Sequence, residues 1–159
     1  MNIKNSLVFL VIGILFFSCD KKRVFDEYHS VGSAWHKDST VTFQLPELDS
    51  TKRYDLFVNL RSNDNYPFNN LFLIVALELP NGFTKVDTLE YQMANPDGTL
   101  LGEGFSDIKE SKLFYKENVK FRGKYKVYIK QAVRETGKVP GVEQLDGITD
   151  VGFRIENKE

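Results

Sequence analysis

Residues 124–131 read Lys124-Tyr125-Lys126-Val127-Tyr128-Ile129-Lys130-Gln131, and this stretch decides the fold. In an extended chain Tyr125, Val127, Ile129 and Gln131 fall on one side, while Lys124, Lys126, Tyr128 and Lys130 fall on the other. Alternate side chains of a strand point to opposite faces, so the pattern predicts a β-strand with one face on a core and a basic face in water. Aromatic and β-branched residues suit such a pleated, half-covered surface. Gly123 stands just before the run and Val133 continues its apolar side.

Outward from there the same period returns. Ile148-Thr149-Asp150-Val151-Gly152-Phe153-Arg154-Ile155 predicts a last strand, reached through the polar loop Glu135 to Asp146. Upstream, Val41, Phe43 and Leu45 alternate with Thr42 and Gln44 ahead of Pro46, and Tyr54, Leu56, Val58 and Leu60 alternate with Asp55 and Asn59. Leu71 to Leu79 is apolar nearly throughout, which predicts a strand covered on both faces. Pro80-Asn81-Gly82 then supplies a turn, and Asp87 to Met93 pairs back with Leu89, Tyr91 and Met93 on one face. Asn95-Pro96-Asp97-Gly98 makes the next turn. Between 99 and 120, Gly102 and Gly104 interrupt the pattern, and Asp107 to Tyr115 fits either a short helix or a strand, with strand favoured at Leu113 to Tyr115. Eight or so strands joined by turns predict an all-β protein: one β-sandwich over residues 24–159, with a jelly roll as the preferred topology. A domain of about 140 residues buries enough surface to need neither disulfide nor metal.

The N-terminus reads differently. Lys4 is followed by the uncharged run Leu7 to Phe17, whose eleven residues fall well short of the roughly 20 that span a bilayer as a helix. A secretory signal over residues 1–18 is the expectation. The run ends at Phe16-Phe17-Ser18-Cys19, and a small residue directly before a cysteine resembles a lipobox, although Phe16 and Phe17 depart from its strict pattern. Cys19 is the chain's single cysteine, so it has no internal disulfide partner, and lipidation gives it a use. Residues 19–23 then form a lipidated tether whose Lys21-Lys22-Arg23 either favours anionic headgroups or is merely solvated.

Composition bounds the partners. With 21 basic and 22 acidic side chains the chain has a formal charge of −1, which argues against nucleic acid. His29 and His36 flank Trp35, but a zinc site normally draws four ligands, so no metal or other cofactor is expected. No Gly-x-Ser-x-Gly elbow is present and no carboxylate pair stands out, so no catalytic residue is assigned. Ser62-Asn63-Asp64-Asn65 offers oxygens that suit either calcium or, more simply, a turn. Trp35, Tyr66, Phe68 and Phe83 fit a sugar-binding or protein-binding platform less well than they fit a core. Arg61, Asp64 and Asn65, in a polar turn at a sandwich end, are the candidate partner-binding residues.

The order of landmarks resembles the GldH family of gliding-motility lipoproteins of Bacteroidetes. The segments that carry it are the cleavage site ending at Cys19, Tyr54 to Arg61, Tyr66-Pro67-Phe68-Asn69-Asn70-Leu71, Pro80-Asn81-Gly82 with Asp87-Thr88-Leu89, and Gly98 to Gly104. Gly123-Lys124-Tyr125, Gln131, Arg134 and the closing Gly147 to Gly152 complete the series. The resemblance implies a lipoprotein of the gliding machinery linked to type IX secretion, whose partners are envelope proteins of those systems and whose role is that of a non-catalytic scaffold. A carbohydrate-binding or carbohydrate-processing envelope lipoprotein is the alternative. Asp20-Lys21-Lys22 lacks the acidic run associated with surface export in such lipoproteins, which implies the periplasm-facing side of the outer membrane.

Overall fold

The computed structural model describes residues 20–158, so the expected signal segment and the lipid site at Cys19 lie outside the described residues. Ten strands and no helix occur among those described. They are β1 (Arg23–Ser30), β2 (Ala34–His36), β3 (Val41–Gln44), β4 (Tyr54–Ser62) and β5 (Asn70–Glu78). After them come β6 (Thr84–Gln92), β7 (Lys109–Val119), β8 (Lys126–Gln131), β9 (Gln144–Asp146) and β10 (Ile148–Asn157).

Two four-stranded sheets, ordered β1-β10-β4-β7 and β3-β8-β5-β6, are paired antiparallel throughout, and β2 with β9 forms a small third sheet. Apart from the β5–β6 hairpin and the β2–β9 pair, every connection crosses from one large sheet to the other. That wrapping is a jelly roll, the preferred topology, whose strand order the alternation leaves open. Strand holds the whole of Lys109–Val119, which settles the segment that could also be read as a helix. Its side chains alternate too irregularly to show this locally, and pairing with β4 across two register shifts fixes the strand.

The core lies between the sheets. Leu56, Val58 and Leu60 of β4 and Val151, Phe153 and Ile155 of β10 are fully buried, as are Leu71, Leu73 and Val75 of β5 and Val127 and Ile129 of β8. Each such side chain contributes about 1.5–3 kcal/mol by leaving water. Phe153 is central, its ring 6.1 Å from that of Phe43 and 6.4 Å from that of Tyr115.

One expectation needs correction. Leu71 to Leu79 is covered on one face only: Leu71, Leu73, Val75 and Leu77 point inward, while Ile74 is 36% exposed and Phe72 and Ala76 are half-buried. A two-layer sandwich has no third layer to cover the outer side, and Ala76 there lies opposite Val86 and Tyr128. Of the four aromatics singled out in the sequence, two lie in the core as favoured there, and one is exposed. Trp35 and Tyr66 are core residues, with Trp35 Nε1 donating to Ser39 O at 3.1 Å and Tyr66 Oη donating to Asn70 O at 2.6 Å. Phe68 packs edge-on against Tyr66, whereas Phe83 is 60% exposed in the β5–β6 turn.

Candidate functional site

Because the connections alternate between the two ends of the sandwich, the loops sort into two groups. At the end where the chain enters, Asn157 N donates to Lys22 O, Lys158 N to Arg53 O, and the Arg53 guanidinium to Asn118 O. The Tyr54, Phe121 and Tyr125 rings stack edge-on through this end at 5.8 and 4.8 Å. Pro80 lies against Gly123, which ties the β5–β6 turn to the same group. Its exposed basic side chains are Lys21, Lys22 and Arg23 at the entry, Lys52 and Arg53 before β4, Lys120, Arg122 and Lys124 after β7, and Lys158. They outnumber Asp20, Glu47, Asp49 and Glu117 by more than two to one.

The opposite end carries the connections 31–40, 63–69, 93–108 and 132–147, of which 93–108 and 132–147 are the longest, and which include the short strands β2 and β9. Here the balance reverses: Asp38, Asp64, Asp97, Glu103, Asp107, Glu135, Glu143 and Asp146 face only Lys37, Arg134 and Lys138. A groove of about 790 Å³ opens at this end between the segments around Asn69, Asn95 and Glu135. Met93 N donates to Asn69 O at 2.7 Å, which fixes two of its walls to each other. Asn70 Nδ2 donates to Glu90 Oε1 at 2.9 Å, and Asn95 Nδ2 to Thr99 Oγ1 at 3.0 Å. Pro67, Phe68 and Pro96 add apolar surface, and Arg134 adds a cation. The volume falls in the roughly 300–1,000 Å³ range of ligand sites. Side-chain amides carry both donor and acceptor, as does a peptide group.

Of the residues singled out in the sequence, Asp64 and Asn65 are exposed at this end, in a turn closed by Asn63, whose Oδ1 accepts from Asn65 N at 3.0 Å. Arg61 lies apart from them on the outer face of β4. Its Nε donates to Glu110 Oε2 at 3.2 Å, its guanidinium lies 4.2 Å from the Tyr28 ring centre, and Tyr28 Oη donates to Glu110 Oε1 at 2.9 Å. His29 packs on Phe43 at 4.8 Å and bonds Glu27 at 2.6 Å, while His36 Nδ1 accepts from Asp38 N at 3.1 Å. Among the described residues no group of three or more His, Cys, Asp or Glu could hold a metal ion. The groove escapes sequence reasoning because its walls come from segments far apart in the chain; Asn69, Asn70 and Asn95 read locally only as turn residues.

Next to Arg61 the same outer face holds an ion network. Arg154 pairs with Asp26 at 2.9 Å, with Glu156 at 2.7 Å, and with Asp20, while Lys112 reaches Glu156 at 2.5 Å. Burial works against the Arg154 charge, but its bonds to Asp20, Glu156 and Asp26 outweigh that and raise its pKa. Burial likewise opposes the Glu156 charge, and bonds from Lys112 and Arg154 more than offset it and lower the pKa. Tyr28 is raised by burial and by Glu110. Each shift carries its group further from neutral pH, the opposite of the tuning general acid–base chemistry requires.

The GldH lipoprotein family matches residues 23–155. The chain belongs to that family. It is 80% identical over 159 residues to the gliding motility lipoprotein GldH of Flavobacterium johnsoniae, covering all of both chains. A gliding motility lipoprotein GldH homolog of Christiangramia forsetii is 58% identical over 154 residues, 96% of this chain and 94% of that one. Among solved structures, a family GH115 4-O-methyl-α-glucuronidase matches 89% of this chain with 18% of its own, at 14% identity and a TM-score of 0.47, which carries no functional argument. Membership in the GldH family makes the chain a gliding-motility lipoprotein, anchored to a membrane of the cell envelope.

Proposed function

We propose that this GldH-family lipoprotein is a non-catalytic, protein-binding subunit of the gliding machinery, associated with type IX secretion. Residues 1–18 are removed as a signal, and lipid on Cys19 holds the domain on the periplasm-facing side of the outer membrane. The observation that carries the protein-binding role is the amide-lined groove of about 790 Å³ at the end opposite the chain's entry. There it is turned away from the anchor, toward an extended segment of an envelope protein. Asp64 and Asn65, in the turn just before Pro67, add contacts at its margin, and Arg61 adds one from the neighbouring sheet face.

A deletion strain complemented with variants tests the reading. Cys19→Ala protein is expected to leave the membrane fraction and to take up no alkyne fatty acid. Asn70→Ala combined with Arg134→Glu is expected to stay anchored, lose its co-purified envelope proteins and fail to restore gliding. Normal gliding and secretion in the deletion strain would refute the role. A groove variant that loses binding to glycans instead of proteins would move the assignment to carbohydrate recognition.

A further inference from the structure

We propose that the basic end of the sandwich is a second membrane contact, lying against anionic, phosphate-bearing lipid headgroups and so fixing how the domain stands on its membrane. The proposal rests on the reading that Cys19 carries the lipid. From Cys19 the chain reaches Arg23 within at most about 14 Å even when extended. The last turn before β1 is itself held down, by Arg23 N on Asp20 O and by Asn157 N on Lys22 O. The anchor therefore leaves the domain beside this end. It brings the basic surface to within one or two screening lengths of the headgroups, a length of about 8 Å at physiological salt.

Charge complementarity then selects the occupant. Lys52, Lys120, Arg122 and Lys124 are exposed, and they come from two loops that the fold, not the sequence, brings together. The acids of this end are largely engaged within the protein. Asp20 pairs with Arg154, Asp49 accepts from Thr51 N at 2.9 Å and from Thr51 Oγ1 at 2.6 Å, and Glu117 takes Lys158 at 3.2 Å. Each basic residue near an anionic leaflet strengthens association by about fivefold. The acidic far end is repelled by the same surface, so the two ends act together as an orienting dipole. Phe83, exposed in the turn that packs beside Gly123, adds apolar surface to the same end.

The test uses the full-length lipidated protein reconstituted into phosphatidylcholine vesicles with or without phosphatidylglycerol. Lysines are labelled with a water-soluble acylating reagent and read peptide by peptide by mass spectrometry. Labelling of Lys52, Lys120, Lys124 and Lys158 is expected to slow about tenfold in the anionic vesicles, while Lys37 and Lys138 at the far end do not change. The protection should disappear in molar salt, where screening shortens to about 3 Å. Equal labelling at both ends in both vesicles would overturn the proposal. A Lys52→Glu, Lys120→Glu, Arg122→Glu, Lys124→Glu variant should keep its acylated N-terminal peptide and its β-sheet circular dichroism yet lose protection at Lys158. Retained protection at Lys158 would also overturn the proposal. An N-terminal peptide without acyl mass overturns the anchor itself, by a readout separate from the labelling.

Discussion

The two ends of this sandwich are built to opposite specifications. At the entry end the connections 79–83 and 120–125 are short, the Tyr54, Phe121 and Tyr125 rings pin the end, and the basic excess comes from residues 21–23 and 120–124. At the far end, the connections 93–108 and 132–147 are long, acidic and polar, and they leave a groove. A net charge of −1 conceals this division completely. A jelly roll forces every crossing connection to one end or the other, so charges scattered along the chain become segregated in space. On the proposed reading, the anchored domain separates its membrane seat from its recognition surface without a second domain.

The largest effect should come where the loose-looking end turns out to be rigid. Gly147 has φ +82°, and a Cβ there would stand 2.2 Å from the backbone N of Tyr66. Asn63 N also donates to Gly147 O at 2.8 Å, so the turn carrying Asp64 and Asn65 is built on this glycine. Gly147→Ala should destabilise by about 4 kcal/mol or more, since no flexible side chain can yield to the clash. Urea unfolding measures it. A loss under about 1 kcal/mol would mean that the far end rearranges freely and that its groove is not a built feature. At the entry end, Phe121→Ala should cost about 3–5 kcal/mol through the cavity left between Tyr54 and Tyr125.

How much of this was legible in the sequence follows the range of the interactions. Strands with clean alternation, such as β4 (Tyr54–Ser62) and β8 (Lys126–Gln131), declare themselves because side-chain period is a local property. β1 did not, since as an edge strand it buries no face fully and its exposure pattern follows no strict alternation. Neither did β2 and β9, each only three residues long and formed by mutual pairing. The over-reading of Leu71–Leu79 has the same origin: an apolar run says what could be covered, not how many layers exist to cover it. The turn at Asn63–Asn65 was readable because turn chemistry is local. The groove and the basic end were not, because both are sums over loops distant in the chain.

A smaller effect separates the sheet face from both ends. Glu156, whose side chain is 11% exposed, joins Lys112 and Arg154, and its pKa lies below the ordinary glutamate value of 4.5. A carboxyl whose folded pKa is depressed stabilises the fold above its unfolded value, and that contribution is lost as pH falls through the folded value. Glu156→Gln should therefore cost about 3 kcal/mol at neutral pH by leaving the network cations under-paired. The gap between variant and wild type should narrow as the pH drops below 4.5 and close once Glu156 itself is protonated. Urea titrations across that range would show it, and a gap independent of pH would mean that shape rather than charge matters at this position.

The smallest effect is the one that sharpens the comparison most. Like charges gathered at one end repel one another, so the basic cluster should carry a slight cost in stability rather than a gain. Replacing Lys52 and Arg122 by Glu relieves that repulsion, and because both side chains are exposed the change should stay within about 0.5 kcal/mol. The sign is the informative part. Stability should rise by a few tenths of a kcal/mol at low ionic strength and return to the wild-type value in molar salt, where screening removes the repulsion. The matching change at the far end, Glu135→Lys with Glu143→Lys, should shift stability by as little, because those loops are also exposed. Paired urea titrations at low and high salt decide it. If reversing Lys52 and Arg122 instead lowers stability by more than about 1 kcal/mol in both salts, the basic residues serve the fold, and the seat would have to be sought elsewhere on the surface.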